Sequence, residues 1–194
     1  MCQYLKYMVI ICVLSLSFAD THSDYSEISL RDIGKQSGAV IFLRHAFAPG
    51  LGDPPNFIIG QCDTQRNLNS AGRHQSKQLG EAFRKVGLQN LSVLSSPWCR
   101  CIDTARLMNV GVAKVFTGLS SFYEGHVSRA SVLKELNAYL ESINQTDHPT
   151  LLVTHQVVIS AVTGLSSASG EAIIYFPSSK IARRVLIPRG SDGD

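Results

Sequence analysis

The sequence predicts a layered α/β domain with a largely parallel sheet. Short apolar runs recur along the chain and alternate with longer segments whose apolar residues fall three or four positions apart. Polar stretches containing Gly and Pro separate them. The 194 residues, 44% hydrophobic and 17% charged, are ordinary for one globular domain with a sizeable core. Neither an internal repeat nor a low-complexity linker interrupts this order.

The N-terminal stretch stands apart. Lys6 is its only charge before Asp20, Met8 to Phe18 is apolar, and Ser17-Phe18-Ala19 supplies small residues at a cleavage position. This run of eleven residues is short for a membrane span of about 20. Residues 1–19 therefore read as a signal peptide cut after Ala19, and residues 20–194 as an exported domain, periplasmic or secreted, with no membrane span in the mature chain. Of the five cysteines, Cys62, Cys99 and Cys101 would remain. In an oxidising compartment Cys62 can pair with either Cys99 or Cys101.

Asp20 to Ser37 is polar and is expected along the surface. Ala39 to Leu43, with branched Val40 and Ile41, predicts a buried strand. Ala48 to Gly60 holds three Pro and three Gly and must be a loop. Ser70 to Val86 has helical spacing, with Ala71, Gln75, Gln78, Leu79, Ala82, Phe83 and Val86 on one side. Leu91 to Ser95 predicts the next strand. Ser96-Pro97 reads as an N-cap and first position of a helix reaching about Met108. Ala113 to Thr117 is a third short strand, and Ser128 to Ile143 is an amphipathic helix. Thr150 to Thr154 predicts a buried strand, and Gln156 to Thr163 a short helix closed by Gly164. Ala172 to Phe176 and Arg183 to Ile187 are final strands that can make the sheet mixed.

In such sheets ligands sit beyond the carboxyl ends of the strands. Arg44, His45, Ser96, Arg100 and His155 all fall just past predicted ends. His45, held rigidly with one ring nitrogen hydrogen-bonded, would keep a lone pair on the other to attack phosphorus. Arg44 would grip phosphate oxygens with its fork. Arg100, in the first turn of its helix, would face the same anion, with Thr104 one turn on as its support. His155 would donate to the transferring group. Arg66 and Arg73 flank the start of the first long helix and are expected in solvent, the alternative being contact with the rest of a substrate. The net charge of +3, without a long basic run, argues against nucleic acid as partner. Cys99-x-Cys101 has neither redox nor zinc spacing, and no carboxylate or third His accompanies His45 and His155 at metal-ligand spacing.

Leu43-Arg-His-Ala46, Ser95-Ser-Pro-x-x-Arg100-x-x-x-Thr-Ala105 and Val153-Thr-His155, taken together, resemble the histidine phosphatase superfamily, which includes the phosphoglycerate mutases. Asn67-Leu-Asn-Ser-Ala-Gly72-x-x-Gln75 is similar to that family's first helix entry. The resemblance runs from about residue 39 to 165 and implies a three-layer α/β/α sandwich. It implies a phosphohistidine intermediate on His45, a phosphate pocket of Arg44, Arg100 and His155, and no cofactor or metal. Glu124 stands about where many members place the general acid, with Asp53, Asp63 and Glu171 as rivals. Ala46, Ala48 and Leu51 depart from the common pattern, which points away from a mutase. The loop from Ala46 to Pro55 resembles that of an exported bacterial subgroup. The expected substrate is a small-molecule or glycolipid phosphomonoester. The alternatives are a phosphotransferase or mutase, and a phosphate-binding protein without turnover.

Overall fold

The computed structural model describes residues 27–188, so the expected signal peptide lies outside the described residues. The strands are β1 (Glu27–Ser29), β2 (Val40–Arg44), β3 (Ser92–Ser95), β4 (Ala113–Val115), β5 (Thr150–Thr154), β6 (Ala172–Phe176) and β7 (Ile181–Leu186). The helices are α1 (Leu30–Ile33), α2 (Ser70–Lys85), α3 (Cys99–Met108), α4 (Arg129–Glu141) and α5 (Gln156–Thr163). The strands form one sheet in the order β1-β7-β6-β2-β5-β3-β4. β2, β5, β3 and β4 run parallel, whereas β6 is antiparallel to both β2 and β7. The last two strands do make the sheet mixed.

Alternation along the central strands builds the two cores. Ile41 and Leu43 of β2 point with Leu151 and Val153 of β5 into a cluster with α1, α2 and α3. Val40, Phe42 and Leu152 point the other way, against α4 and α5. The result is the three-layer α/β/α sandwich. Local chemistry sets the helix ends. The Asn69 side chain accepts from the Gly72 amide at the start of α2, Ser128 does the same for Ser131 in α4, and Gly164 closes α5 at φ 72°. Among the described residues no helix is long and apolar enough to cross a membrane.

Two expectations fail. Residues 27–33 do not lie along the surface: β1 pairs with β7, and Leu30 and Ile33 are fully buried. The segment is too short for a period to show, and its partner strand comes from the far end of the chain. α3 also starts later than expected, with the backbone of Trp98 as its cap and no side-chain capping bond. Ser96 has a different task, described below.

α2 and α3 pack with almost no spacing at Gly80, where an added Cβ would stand 1.9 Å from the Met108 carbonyl oxygen. Both partners there are backbone, so neither can yield alone. Gly80→Ala should lower the unfolding free energy by about 3 kcal/mol, as overpacking does. Urea unfolding would measure this, and an unchanged midpoint would contradict the close packing of the two helices.

Candidate active site

The parallel pairing carries three segments to one level. Arg44 is in register with Thr154, and Ser95 with Val153. The ladder continues past the strand ends, as the His45 amide donates to the Thr154 carbonyl and the Ser96 amide to that of Val153, both at 2.9 Å. His45 and His155 thus stand side by side, ring centroids 5.5 Å apart.

Each imidazole has one nitrogen committed. His45 Nδ1 donates to the Ala46 carbonyl at 2.8 Å, which leaves Nε2 with the lone pair. At His155 it is Nε2 that is engaged, 2.8 Å from Ser96 Oγ. The Trp98 amide donates to that same oxygen; with Nε2 engaged there, Nδ1 is the ring nitrogen left for a ligand. Cys101 Sγ lies 3.5 Å from the same Nε2. Burial pushes this thiol up to about 12, so it stays protonated. Thr104 braces the turn after β2: its hydroxyl accepts from the Ala46 amide at 3.0 Å and donates to the Arg100 carbonyl at 2.7 Å. Gln75 of α2 holds the next residue, accepting from the Phe47 amide.

Arg44, His45, Arg100, Glu124 and His155 all line one cavity of about 340 Å³. A larger cleft of about 640 Å³ between α2 and β7 carries neither Arg nor His. Arg44 Nη1 donates to the Ser167 carbonyl at 2.7 Å. The Nε–H groups of Arg44 and of Arg100 are buried without a hydrogen-bond partner among the described residues. A buried donor left unpaired is costly, and two of them on guanidiniums that line one cavity suit an oxyanion.

Three residues differ from expectation. Arg66 is half-buried and lines the cavity, its Nε donating to the Gly52 carbonyl at 2.7 Å. An Arg at a helix entry has no sequence signal that separates it from surface charge. Arg100 does not present its whole fork to the cavity. Its Nη1 and Nη2 donate to Asp53 at 2.7 and 3.2 Å. Asp53, a rival for the acid role by sequence, is instead the partner of this guanidinium. Burial alone would raise its carboxyl, but bonds from Arg100, the Arg66 amide and the Trp98 indole outweigh that and hold it below the ordinary range. It is an ionised partner, not a proton donor. The other rivals are off the cavity: Glu171 pairs with Arg184 at 3.2 Å, and Asp63 is exposed. Glu124 is the one carboxylate among the described residues that lines the cavity. Its Oε2 accepts from the Asp53 amide at 2.7 Å and lies 3.7 Å from His126 Nε2.

The electrostatics suit a neutral nucleophile. Burial first, then Arg100, Arg66 and Arg44, lower His45 to about 3 against the opposing Ala46 bond. His155 is driven well below its ordinary value by burial, Arg100 and His45. The folded rings refuse a proton that the unfolded chain takes up near pH 6.5. For His45 the stability contribution is therefore complete above pH 6.5 and lost as pH falls toward 3, at about 1.4 kcal/mol per pH unit, and His155 acts in the same direction. Urea unfolding in phosphate-free buffer should show His45→Gln losing about 2–3 kcal/mol less than wild type between pH 6.5 and 4.5. Parallel pH curves for the two proteins would show that His45 does not refuse the proton.

Residues 40–117 match the family model described as histidine phosphatase superfamily (branch 1). This segment holds Arg44, His45 and Arg100; Glu124 and His155 lie beyond it. No protein of curated function matches the sequence. Among solved structures, a putative α-ribazole-5'-phosphate phosphatase from Escherichia coli is similar at 18% identity and a TM-score of 0.58, covering 78% of this chain and 97% of its own. An open reading frame product of Mycobacterium tuberculosis is similar at 20% identity and a TM-score of 0.55, covering 77% and 96%. A mycobacterial glucosyl-3-phosphoglycerate phosphatase is similar at 18% identity and a TM-score of 0.51, covering 79% and 99%. At these identities the likeness speaks for the fold. The chain has the histidine phosphatase fold, and residues 40–117 match the model of that superfamily.

Proposed function

We propose that the protein is an exported phosphomonoesterase that works through a phosphohistidine on His45. The observation that carries this reading is one cavity combining a neutral imidazole, its Nε2 lone pair free, with the half-buried Arg44 and the buried Arg100, whose buried Nε–H groups lack partners among the described residues. A tetrahedral dianion satisfies both donors at once.

His45 Nε2 attacks phosphorus, and the bond from phosphorus to the ester oxygen breaks. The leaving oxygen takes a proton from Glu124. Water then attacks the phosphohistidine and gives its proton to the Glu124 carboxylate. The P–N bond breaks, releasing phosphate and neutral His45. Arg44 and Arg100 bear the charge on the equatorial oxygens, and His155 donates through Nδ1. Fixed side-chain donors supply the positive charge in this scheme. Export is supported by the apolar segment ahead of Asp20 and by the Cys62–Cys99 disulfide, a bond that persists in oxidising compartments.

His45→Ala should reduce hydrolysis of p-nitrophenyl phosphate to background. Quenching at alkaline pH should trap labelled phosphate on wild type and not on the variant. Wild type that neither turns over phosphomonoesters nor takes up label would defeat the reading. Glu124→Gln should slow hydrolysis of an alkyl phosphate by about 10²–10³, because the alkoxide needs the proton. The p-nitrophenyl ester, whose leaving group needs none, should be far less affected. Equal losses on both esters would remove Glu124 from the acid role.

A further inference from the structure

Asp53 does more than neutralise an arginine. Its side chain is 1% exposed, and that of Arg100 is 3% exposed. Oδ1 accepts from Arg100 Nη1 at 2.7 Å and from the Arg66 amide at 3.0 Å. Oδ2 accepts from Arg100 Nη2 at 3.2 Å and from the Trp98 indole Nε1 at 2.9 Å. Trp98 is fully buried, and Phe57 stacks on it at 5.3 Å. The backbone amide of this same residue donates to Glu124 Oε2. One loop residue therefore grips the cationic side of the cavity with its carboxylate and the acidic side with its amide. The loop is shaped for this second grip. Gly52, at φ 66°, lies so near Glu124 that a Cβ there would stand 2.2 Å from Oε1.

We infer that Asp53 is a positioning residue of this site, fixing Arg100 by its Nη edge so that Nε–H meets the phosphate while its amide sets the Glu124 carboxyl. The inference rests on the phosphatase reading for its chemistry but is testable by binding alone. Two effects compete when the carboxylate is removed. Losing a negative charge makes the cavity more positive and favours an anion. Losing the two-point clamp lets the guanidinium turn, and misplacement of a binding group by about 1 Å can cost 10²-fold. The clamp prevails here, because among the described residues Asp53 is the only group holding the Nη2 end of Arg100 and only the Arg66 carbonyl shares Nη1.

The test is titration of inorganic phosphate by calorimetry, together with steady-state kinetics on p-nitrophenyl phosphate. Asp53→Asn keeps the shape and the backbone amide. It should weaken phosphate binding about tenfold and lower kcat/KM by about 10², raising KM and lowering kcat together. In an Arg100→Gln background the same change should add little, since residues acting through one another are not additive. Unchanged or tighter phosphate binding by a folded Asp53→Asn protein would overturn the inference, as would losses that add fully to those of Arg100→Gln. If Asp53→Asn does not fold, Trp98→Phe removes one bond to Oδ2 and should shift phosphate affinity in the same direction by a few-fold; no shift would again overturn it. Wild type that binds phosphate without turning over any phosphomonoester defeats the phosphatase reading and leaves this test intact. Wild type that binds no phosphate defeats both.

Discussion

Everything chemical in this molecule depends on the parallel pairing of β2, β5 and β3. Their hydrogen-bond ladder does not stop at the last strand residue; it continues to the amides of His45 and Ser96. Those two bonds set the height at which His45, Ser96 and His155 emerge from the sheet. Because β2 and β5 are buried on both faces, neither can slip without moving an entire apolar set into the wrong layer. Rigidity of the core is thereby passed directly to the imidazoles.

Burial then has opposite consequences for the two kinds of base in the cavity. Both imidazoles respond by losing the proton, which is cheap for a group that titrates near neutrality. Guanidiniums cannot respond in this way and remain charged. The same desolvation therefore produces neutral imidazoles among fixed cations, with no further device. It also makes the cations expensive, and Asp53 offsets that for Arg100 within the protein. The pairing is partial by construction: the Nη edge is occupied and, among the described residues, the Nε–H is left unsatisfied. An arrangement of this kind prepares a site for an anion without closing it to one.

The loops complete the site from two directions. The segment carrying Gly52, Asp53 and Arg66 meets the segment carrying Glu124 and His126, and Phe57 stacks against both Trp98 and His126. The Cys62–Cys99 disulfide ties the first of these segments to the start of α3. Arg100 is the next residue after Cys99, so the covalent link and the Asp53 ion pair hold the same corner of the fold. Loop residues with such constraints act as part of the scaffold instead of as a mobile cover.

Much of this was readable along the chain, for a physical reason in each case. Short apolar runs and the 3.6-residue period, with Ser128 and Gly164 at helix ends, are local properties, and they determined the layered α/β order. Arg44, His45, Arg100 and His155 were marked because each follows an apolar run, and strand ends are where such sheets bind ligands. What stayed hidden was every feature made by a distant partner. β1 exists because β7 accepts it. Ser96 bonds His155 instead of capping a helix, because β5 brings that ring within 2.8 Å. Arg66 faces the cavity and Asp53 is ionised because a loop folds back onto α3. Sequence patterns report periodicity and capping, which depend on neighbours in the chain; the pairing of a buried charge depends on neighbours in space, and only the tertiary structure decides those.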